Sequence, residues 1–476
     1  MSPHTTIFER TAASPEAIEH ALEPTVHAPF WIDDIRARRV VSPPLRGDAD
    51  ADLVVVGGGY TGLWTALRAV EREPGLRVVL LESETIGWAA SGRNGGFCEA
   101  SLTHGEENGE SRWPDEIATL SRLGLENLDE IEATIARYRM DCDFERTGLL
   151  SVAVEPHQVG WLAGPDAEDG GDVFLDPAAV QAEIASPTYL AGRWDRRTNA
   201  ILHPAKLAAE LARVIAELGV TVHEGTAVRR VDDAGGRVEV VTDRGTVRTP
   251  KVALATNVFP SLLKRNRLMT VPVYDYVLMS EPLSAAQLDE IGWRNRQGVS
   301  DLANQFHYYR LSADDRILFG GYDAIYHAGR KVRPEYEDRR ASFETLASHF
   351  LTTFPQLEGL RFTHRWSGAI DASTRFCAFY GLARRGKVAY AAGFTGLGVG
   401  AARFAADVML DRLAGARTER TSLAMVEGRP WPFPPEPAAS IGINLTRWSL
   451  DRADHREGRR NVLLKTLDSL GLGFDS

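Results

Sequence analysis

Cysteine is scarce in this chain of 476 residues: Cys98, Cys142 and Cys377 are the whole supply, far apart and with no CxxC. That excludes a disulfide framework, a zinc site and the paired thiols of a disulfide reductase, and it fits a reducing cytoplasm. Long apolar runs are missing too. The longest uncharged stretches, Leu53–Leu67 and Val388–Ala402, are glycine-rich and have 15 residues each, short of the roughly 20 that span a bilayer. The first thirty residues carry acids and prolines but no apolar stretch of a secretory signal. Nor is there a surplus of positive charge: 54 Lys and Arg stand against 65 Asp and Glu, a net charge of −11. That balance opposes general binding to nucleic acid or anionic membrane. The expectation is a cytoplasmic protein with a small-molecule partner, no nucleic acid, no membrane span and no metal.

What is present is ordinary globular composition, 44% apolar and 25% charged, at a length that calls for two intertwined domains. Ala51–Val56 reads ADLVVV, the continuous apolar run of a buried parallel strand. A glycine turn, a helix over about Thr61–Arg72 and a strand at Arg77–Glu82 follow, the opening of a dinucleotide-binding fold. Further on, helices are predicted over Pro114–Arg139 and Pro204–Leu218, and strands at Gly148–Val154, Ala227–Val231, Val238–Thr242 and Lys251–Ala255. From Val271 to Tyr322 the segments VPVYDYVLM, NQFHYYRL and RILFGGY alternate with period two, which marks an antiparallel sheet. A helix over Tyr336–Phe350 precedes a strand at Lys387–Ala391, a second glycine turn and a helix over Val399–Leu413. This order predicts a discontinuous nucleotide domain (51–145, 198–258 and 366–420) interrupted by a substrate domain (146–197 and 259–365). An irregular arm (1–50) with one short helix precedes them, and a Pro- and Arg-rich tail (421–476) packs on the body.

Gly57, Gly59 and Gly62 spell G-x-G-x-x-G around Tyr60 and Thr61. The first glycine permits a tight turn, the second lets backbone approach a pyrophosphate, and the third brings helix close to strand with its N-terminus toward the phosphates. Glu82, twenty residues after Gly62, ends the next strand with Ser83 beside it. An acid there bonds both ribose hydroxyls of an adenosine and repels a 2′-phosphate. WAASGRNGGF (88–97) lies just downstream, where Ser91, Gly95 and Gly96 let backbone lie against a flat, wide object while Arg93 and Asn94 supply donors. The turn holding Gly393, Thr395, Gly396, Leu397, Gly398 and Val399 opens another helix. Its N-terminus is aimed at an electron-rich group, such as a flavin pyrimidine edge. Together these indicate FAD rather than NAD.

GGGYTG, GWAASGRNGGF, WSGAID from Trp366 and AAGFTGLGVG together resemble the D-amino-acid oxidase superfamily, and within it the gamma-glutamylputrescine-oxidase branch. The resemblance runs from about Phe30 to the end of the Val399 helix. It implies an α/β fold (α+β overall): a glutathione-reductase-type FAD-binding Rossmann domain with an antiparallel-sheet substrate domain. It also implies tightly held FAD and oxidation of a C–N bond to an imine that hydrolyses to a carbonyl, with O2 reduced to hydrogen peroxide. By the same resemblance, Val228 touches the adenine through its backbone and Thr256 lies near the pyrophosphate. Relatives often have histidine where this chain has Leu397, and proline within the stretch here read Thr374-Arg375-Phe376-Cys377, so the substrate does not carry over.

Flavin amine oxidation moves hydride to N5 from a carbon bearing a neutral amine, so the site must desolvate an ammonium and hold the C–H over the ring. Tyr274 and Tyr276 share one strand face. Gln305, His307 and Tyr309 share another, opposite Phe306, Tyr308 and Arg310. His307 is the candidate base, Tyr309 and Trp366 are candidate walls, and Arg93 is placed to position the ring or balance its charge. For any single aromatic residue plain sheet packing is the commoner role, and for a lone strand histidine such as His307 a hydrogen-bonded structural one. Arg93, Arg310 and Arg375 are the guanidinium groups that would grip a substrate carboxylate. Cys98 and Cys377 sit in no attachment motif, so the FAD is expected to be non-covalent. A monooxygenase is opposed by the lack of G-x-W-x-W-x-I-P and of a second nucleotide fingerprint. A dehydrogenase serving a quinone or carrier protein, and a non-catalytic flavoprotein subunit, stay open.

Overall fold

Every residue of Leu53–Val56 is buried, because both faces of this strand are covered. The alternation sorts them: Leu53 and Val55 pack with the helices Tyr60–Arg72, Pro204–Glu217 and Gly398–Ala414. Val54 and Val56 face the valines of a small sheet built from Val228–Ala234, Arg237–Thr242 and Gly245–Thr249. This computed structural model describes residues 4–473. The six-stranded sheet around Leu53–Val56 runs in the order Thr221–His223, Val78–Leu81, Leu53–Val56, Lys251–Leu254, Val388–Ala392, Phe379–Ala383. All neighbours are parallel except the last pair. Gly62 lets the first helix lie on this sheet: a Cβ there would fall 1.9 Å from the Gly57 carbonyl oxygen.

The second architecture is a ten-stranded mixed sheet. Its long central strand, Thr270–Ser280, pairs antiparallel with Phe362–Ser373 over nearly its whole length and with Ile317–Gly321 on its other side. His307–Leu311, Gly298–Asp301 and Leu149–Ala153 continue the sheet outward. Period-two alternation divides Thr270–Ser280 cleanly. Tyr274, Tyr276 and Leu278 pack with Phe343, Leu346 and Phe350 of the helix Arg340–Thr353, whereas Val273, Asp275 and Val277 look toward the nucleotide-binding sheet.

Several details depart from the sequence reading. The arm contains three α-helices, Ile7–Arg10, Pro15–Leu22 and Phe30–Asp34, and a 3-10 turn at Arg36–Arg38, and Val26–His27 adds a parallel edge strand to the large sheet. The tail holds a short helix, Ala424–Glu427, and two longer ones, Ala438–Asp454 and Val462–Ser469. Glycine, threonine and asparagine inside Ala438–Asp454 weaken its sequence signal, and only Ala439, Ser449 and Ala453 of it are buried. The expected domain switch at residue 366 falls inside the continuous strand Phe362–Ser373, which belongs wholly to the large sheet. Among the described residues, no helix is long and apolar enough to cross a membrane.

Candidate active site

Between the two sheets lies a cavity of about 1270 Å³. Single small-molecule pockets are commonly about 300–1,000 Å³, so this space suits a cofactor together with a substrate. It runs from the glycine turn, past the WAASGRNGGF loop, to the inner face of the large sheet, and the tail helix Ala438–Asp454 covers part of it.

The nucleotide end is built from backbone. Gly57 adopts φ +110, and a Cβ on it would stand 2.3 Å from the Ala255 carbonyl oxygen. A Cβ on Gly59 would meet Ser91 Oγ at 2.9 Å, the same oxygen that accepts from the Tyr60 N–H at 2.9 Å. Glu82 is 6% exposed and lines the cavity; its carboxylate accepts from the N–H groups of Gly58 (2.6 Å) and Glu84 (2.8 Å) and from Trp88 Nε1 (3.0 Å). With the Ser83 hydroxyl, which also donates to it at 3.1 Å, these bonds fix the acid at the strand end on the cavity lining. Thr61, Ser83, Val228 and Thr256 line the same end. A glycine cradle, a buried carboxylate and a helix N-terminus form a donor set that fits an adenine dinucleotide.

In the middle, the WAASGRNGGF loop is pinned from behind. Trp31 Nε1 donates to the Asn94 carbonyl (3.0 Å) and Trp366 Nε1 to the Arg93 carbonyl (2.8 Å). The Asn94 amide is turned inward, donating to Ala90 and Ser91 carbonyls and accepting from the Gly96 N–H. The Arg93 side chain reaches the cavity, yet its Nη1 is paired with Glu337 at 2.6 Å and its Nε donates to the Trp88 carbonyl. The second glycine turn joins WSGAID directly: Asp371 accepts from the Gly393 N–H (2.5 Å) and the Phe394 N–H (3.2 Å). Burial raises the Asp371 carboxyl to about 7, against the lowering effect of those N–H groups. Thr395, Gly396, Leu397, Gly398 and Val399 line the cavity at the start of the Gly398–Ala414 helix. Gly62, Gly96 and Gly393 stand just behind the lining, where each lets two segments approach.

At the sheet end the sequence expectations need correction. His307 is fully buried away from the cavity: its Nδ1 meets Asp301 Oδ2 at 2.6 Å and its Nε2 meets His349 Nδ1 at 2.9 Å. Tyr309 bonds Tyr189 Oη at 2.7 Å and stacks on Phe319, and Trp366 sits beneath the loop. Arg310 lies over the Trp31 ring at 5.0 Å, and burial lowers it to about 10. Arg375 is enclosed by the Gly428 and Ala378 carbonyls and Trp113. None of these five lines the cavity. The reason is one of facing. The aromatic positions Tyr274, Tyr276 and Tyr309, with His307, fill the core beneath the Arg340–Thr353 helix, and the residues between them meet the cofactor space.

What does line that end is Asp275, whose carboxylate accepts from the Tyr308 hydroxyl. Burial raises Asp275 to about 6, and no guanidinium or ammonium among the described residues pairs with it. Asp275 is not among the sequence candidates, since its one signal is an acid in an otherwise apolar strand, and Tyr308 is placed there on a face with Phe306 and Arg310 without a role. Glu99, also on the lining, is raised by burial to about 7.

Comparison with known proteins bears on this geometry. The family model described as DAO, FAD dependent oxidoreductase, matches residues 52–412. The gamma-glutamylputrescine oxidoreductase of Escherichia coli K12 is 30% identical over 395 residues, covering 80% of this chain and 88% of its own. A probable oxidoreductase, OrdL, of Haemophilus influenzae is 28% identical over 402 residues, covering 82% of this chain and 89% of its own. Among solved structures, glycine oxidase from Geobacillus kaustophilus superposes with a TM-score of 0.64 at 18% identity, covering 78% of this chain and 96% of its own.

Proposed function

The chain belongs to the DAO family of FAD-dependent oxidoreductases, and from that premise we propose that it oxidises the C–N bond of a small amine and passes the electrons to O2. FAD would lie along the cavity, with its nucleotide held by the Gly57–Gly62 turn and Glu82 and flanked by Val228 and Thr256. The WAASGRNGGF loop and the Gly396–Val399 turn would hold its ring. When bound, FAD supplies the acceptor for the two electrons and the hydrogen that leave the carbon next to nitrogen. The large sheet and the tail helix line the cavity around the place that carbon would take, and their apolar side chains would strengthen charge interactions there.

The observation that carries the amine reading is where the arginines are. Arg310 and Arg375 stand off the cavity, Arg93 is occupied by Glu337, and Arg447, which does line it, lies 3.5 Å from Asp323. Arg229, also on the lining, is paired with Asp243, so a substrate carboxylate finds on the described lining no guanidinium without an acidic partner, whereas a substrate ammonium finds Asp275. The Escherichia coli relative is itself named for an amine. The three cysteines are buried and none lines the cavity, which supports non-covalent FAD.

A peroxide-yield screen of purified protein against amines and amino acids tests this. Peroxide from an amine is the expected result. Flavin reduction by an amine without peroxide would move the acceptor to a quinone or carrier protein, and peroxide from amino acids alone would reverse the substrate class. Acid precipitation should leave the yellow colour in the supernatant.

A further inference from the structure

Asp275 and Tyr308 occupy a site built to hold them. Tyr308 is paired across the sheet with Gly320, and its ring fills a slot between two glycines. A Cβ on Gly95 would stand 2.7 Å from Tyr308 Cε2, and a Cβ on Gly320 2.8 Å from its Cζ. Phe97 closes the slot edge-on at 5.7 Å and 82°. Any side chain larger than hydrogen at either glycine would displace the ring, so the hydroxyl is delivered to Asp275 from a fixed position. Asp275 faces Gly368 on the neighbouring strand, and a Cβ there would lie 3.8 Å from the Arg93 Cβ. The carboxylate thus sits over the loop expected to carry the flavin ring. Beside it on the lining stand the apolar Val273, Val277 and Ile370, and the same cavity carries Phe433, Ile443 and Leu450 together with polar groups such as Gln305 and Asp323.

We propose that Asp275 receives the substrate ammonium and takes its proton before oxidation, with Tyr308 as its positioning residue, and that the substrate is an amine on an apolar body with no carboxylate beside the nitrogen. This rests on the amine-oxidase reading above. The step is a proton transfer. The N–H bond of the ammonium breaks, an O–H bond forms on Asp275, and the electron pair stays on nitrogen; a charge pair becomes a neutral amine and a neutral acid, which suits a dry, apolar site. A buried carboxyl raised to about 6 is ionised at neutral pH and is a competent base there. The other titratable groups facing it are Tyr308 and Asp323. Asp323 is already paired with Arg339 (2.7 Å) and Arg447 (3.5 Å), and Arg93 with Glu337, so none of these supplies Asp275 with a counter-ion.

The test uses the FAD-loaded protein with hexylamine and norleucine as probes. D275N is expected to keep its flavin absorbance and to lose about a hundredfold or more in kcat/KM for hexylamine at neutral pH, the range a positioned base contributes. Its residual rate should climb about tenfold per pH unit, because solvent must then deprotonate the free ammonium. Y308F removes a hydrogen bond that favours the ionised acid, so the acidic limb of its pH profile should move to higher pH. Wild type should prefer hexylamine to either enantiomer of norleucine by about a hundredfold or more. Wild-type activity and an unshifted profile in D275N, or a preference for norleucine, overturns the proposal. If D275N does not retain FAD, an unmoved acidic limb in Y308F overturns it instead. Failure of every amine to reduce wild-type flavin is a different outcome and defeats the amine-oxidase reading itself.

Discussion

At the end of the cavity bounded by Gly57, Glu82 and Val228, recognition is done by backbone and by the absence of side chains. A turn at φ +110, close approaches at Gly59 and Gly62 and one acid at a strand end suffice. At the sheet end, recognition is done by side chains delivered from separate strands: Asp275 from Thr270–Ser280, Tyr308 from His307–Leu311, and Gly320 from Ile317–Gly321 making room. Local spacing builds the first kind of site, and sheet register builds the second. The first tolerates almost no added atoms. The second needs its space at Gly95 and Gly320 as well, and depends besides on charge and hydrogen bonding.

That contrast is broken most severely at the nucleotide end. Gly62→Ala places a methyl 1.9 Å from the Gly57 carbonyl oxygen and 3.3 Å from Val55 Cγ1, and the first of these is backbone that cannot swing away. Overpacking of this kind costs about 3 kcal/mol; the flavin-to-protein absorbance ratio should collapse and Tm should fall. A variant that retains full flavin would show that helix and strand can separate without harming the site. Glu82→Gln comes next. It weakens charge-assisted bonds from the Gly58 and Glu84 N–H groups and from Trp88, each worth about 1.5–3 kcal/mol. The dissociation constant for FAD, measured by fluorescence on the deflavinated protein, should rise about tenfold to a hundredfold. An unchanged constant would remove the acid from cofactor binding.

Between the two ends, Asp371 makes a pH prediction. Its carboxyl stands at about 7 in the folded chain against 3.8 as its ordinary value. Between those values the folded protein holds a proton that the unfolded chain has released, so raising the pH through that window lowers the stability of the apoprotein. Asp371→Asn removes this contribution, and the slope of Tm against pH over the same window should become shallower. A slope equal to that of wild type counts against the shift. The smallest kinetic effect belongs to Arg310→Lys. Because Arg310 stacks on Trp31 away from the cavity, KM for amines and amino acids should stay within about twofold, while Tm drops as the stacked planar contact is lost. A KM rise confined to amino acids would return Arg310 to the site.

The two ends were unequally legible in the sequence for the same physical reason. G-x-G-x-x-G, Glu82 and the second glycine turn encode their chemistry within a few residues, and the structure places Gly57, Gly59, Glu82, Val228, Thr256 and Leu397 on one cavity. Period-two alternation identified the sheet and paired Tyr274 with Tyr276 and His307 with Tyr309 on common faces. It carries no information about which face turns toward the cofactor. That choice is made by the Arg340–Thr353 helix, whose Phe343, Leu346 and Phe350 take the aromatic face as core and leave the Val273–Asp275–Val277 face for the site. The ion pair between Arg93 and Glu337 spans 244 residues, and no local pattern could show that this guanidinium is already engaged. Asp371 is a middle case: its place in WSGAID was noted, but its grip on the Gly393 turn needed the fold.

The central claim is that the two ends serve one reaction, FAD held at the glycine turn and an amine at the sheet. Anaerobic titration of the purified protein with an apolar primary amine, followed through the visible flavin band, tests it most directly. A yellow protein is expected, whose band bleaches with one equivalent of amine per flavin and returns on admission of air with release of peroxide. A protein that cannot be loaded with FAD, or whose flavin is reduced by 2-hydroxy acids and by no amine, would contradict it.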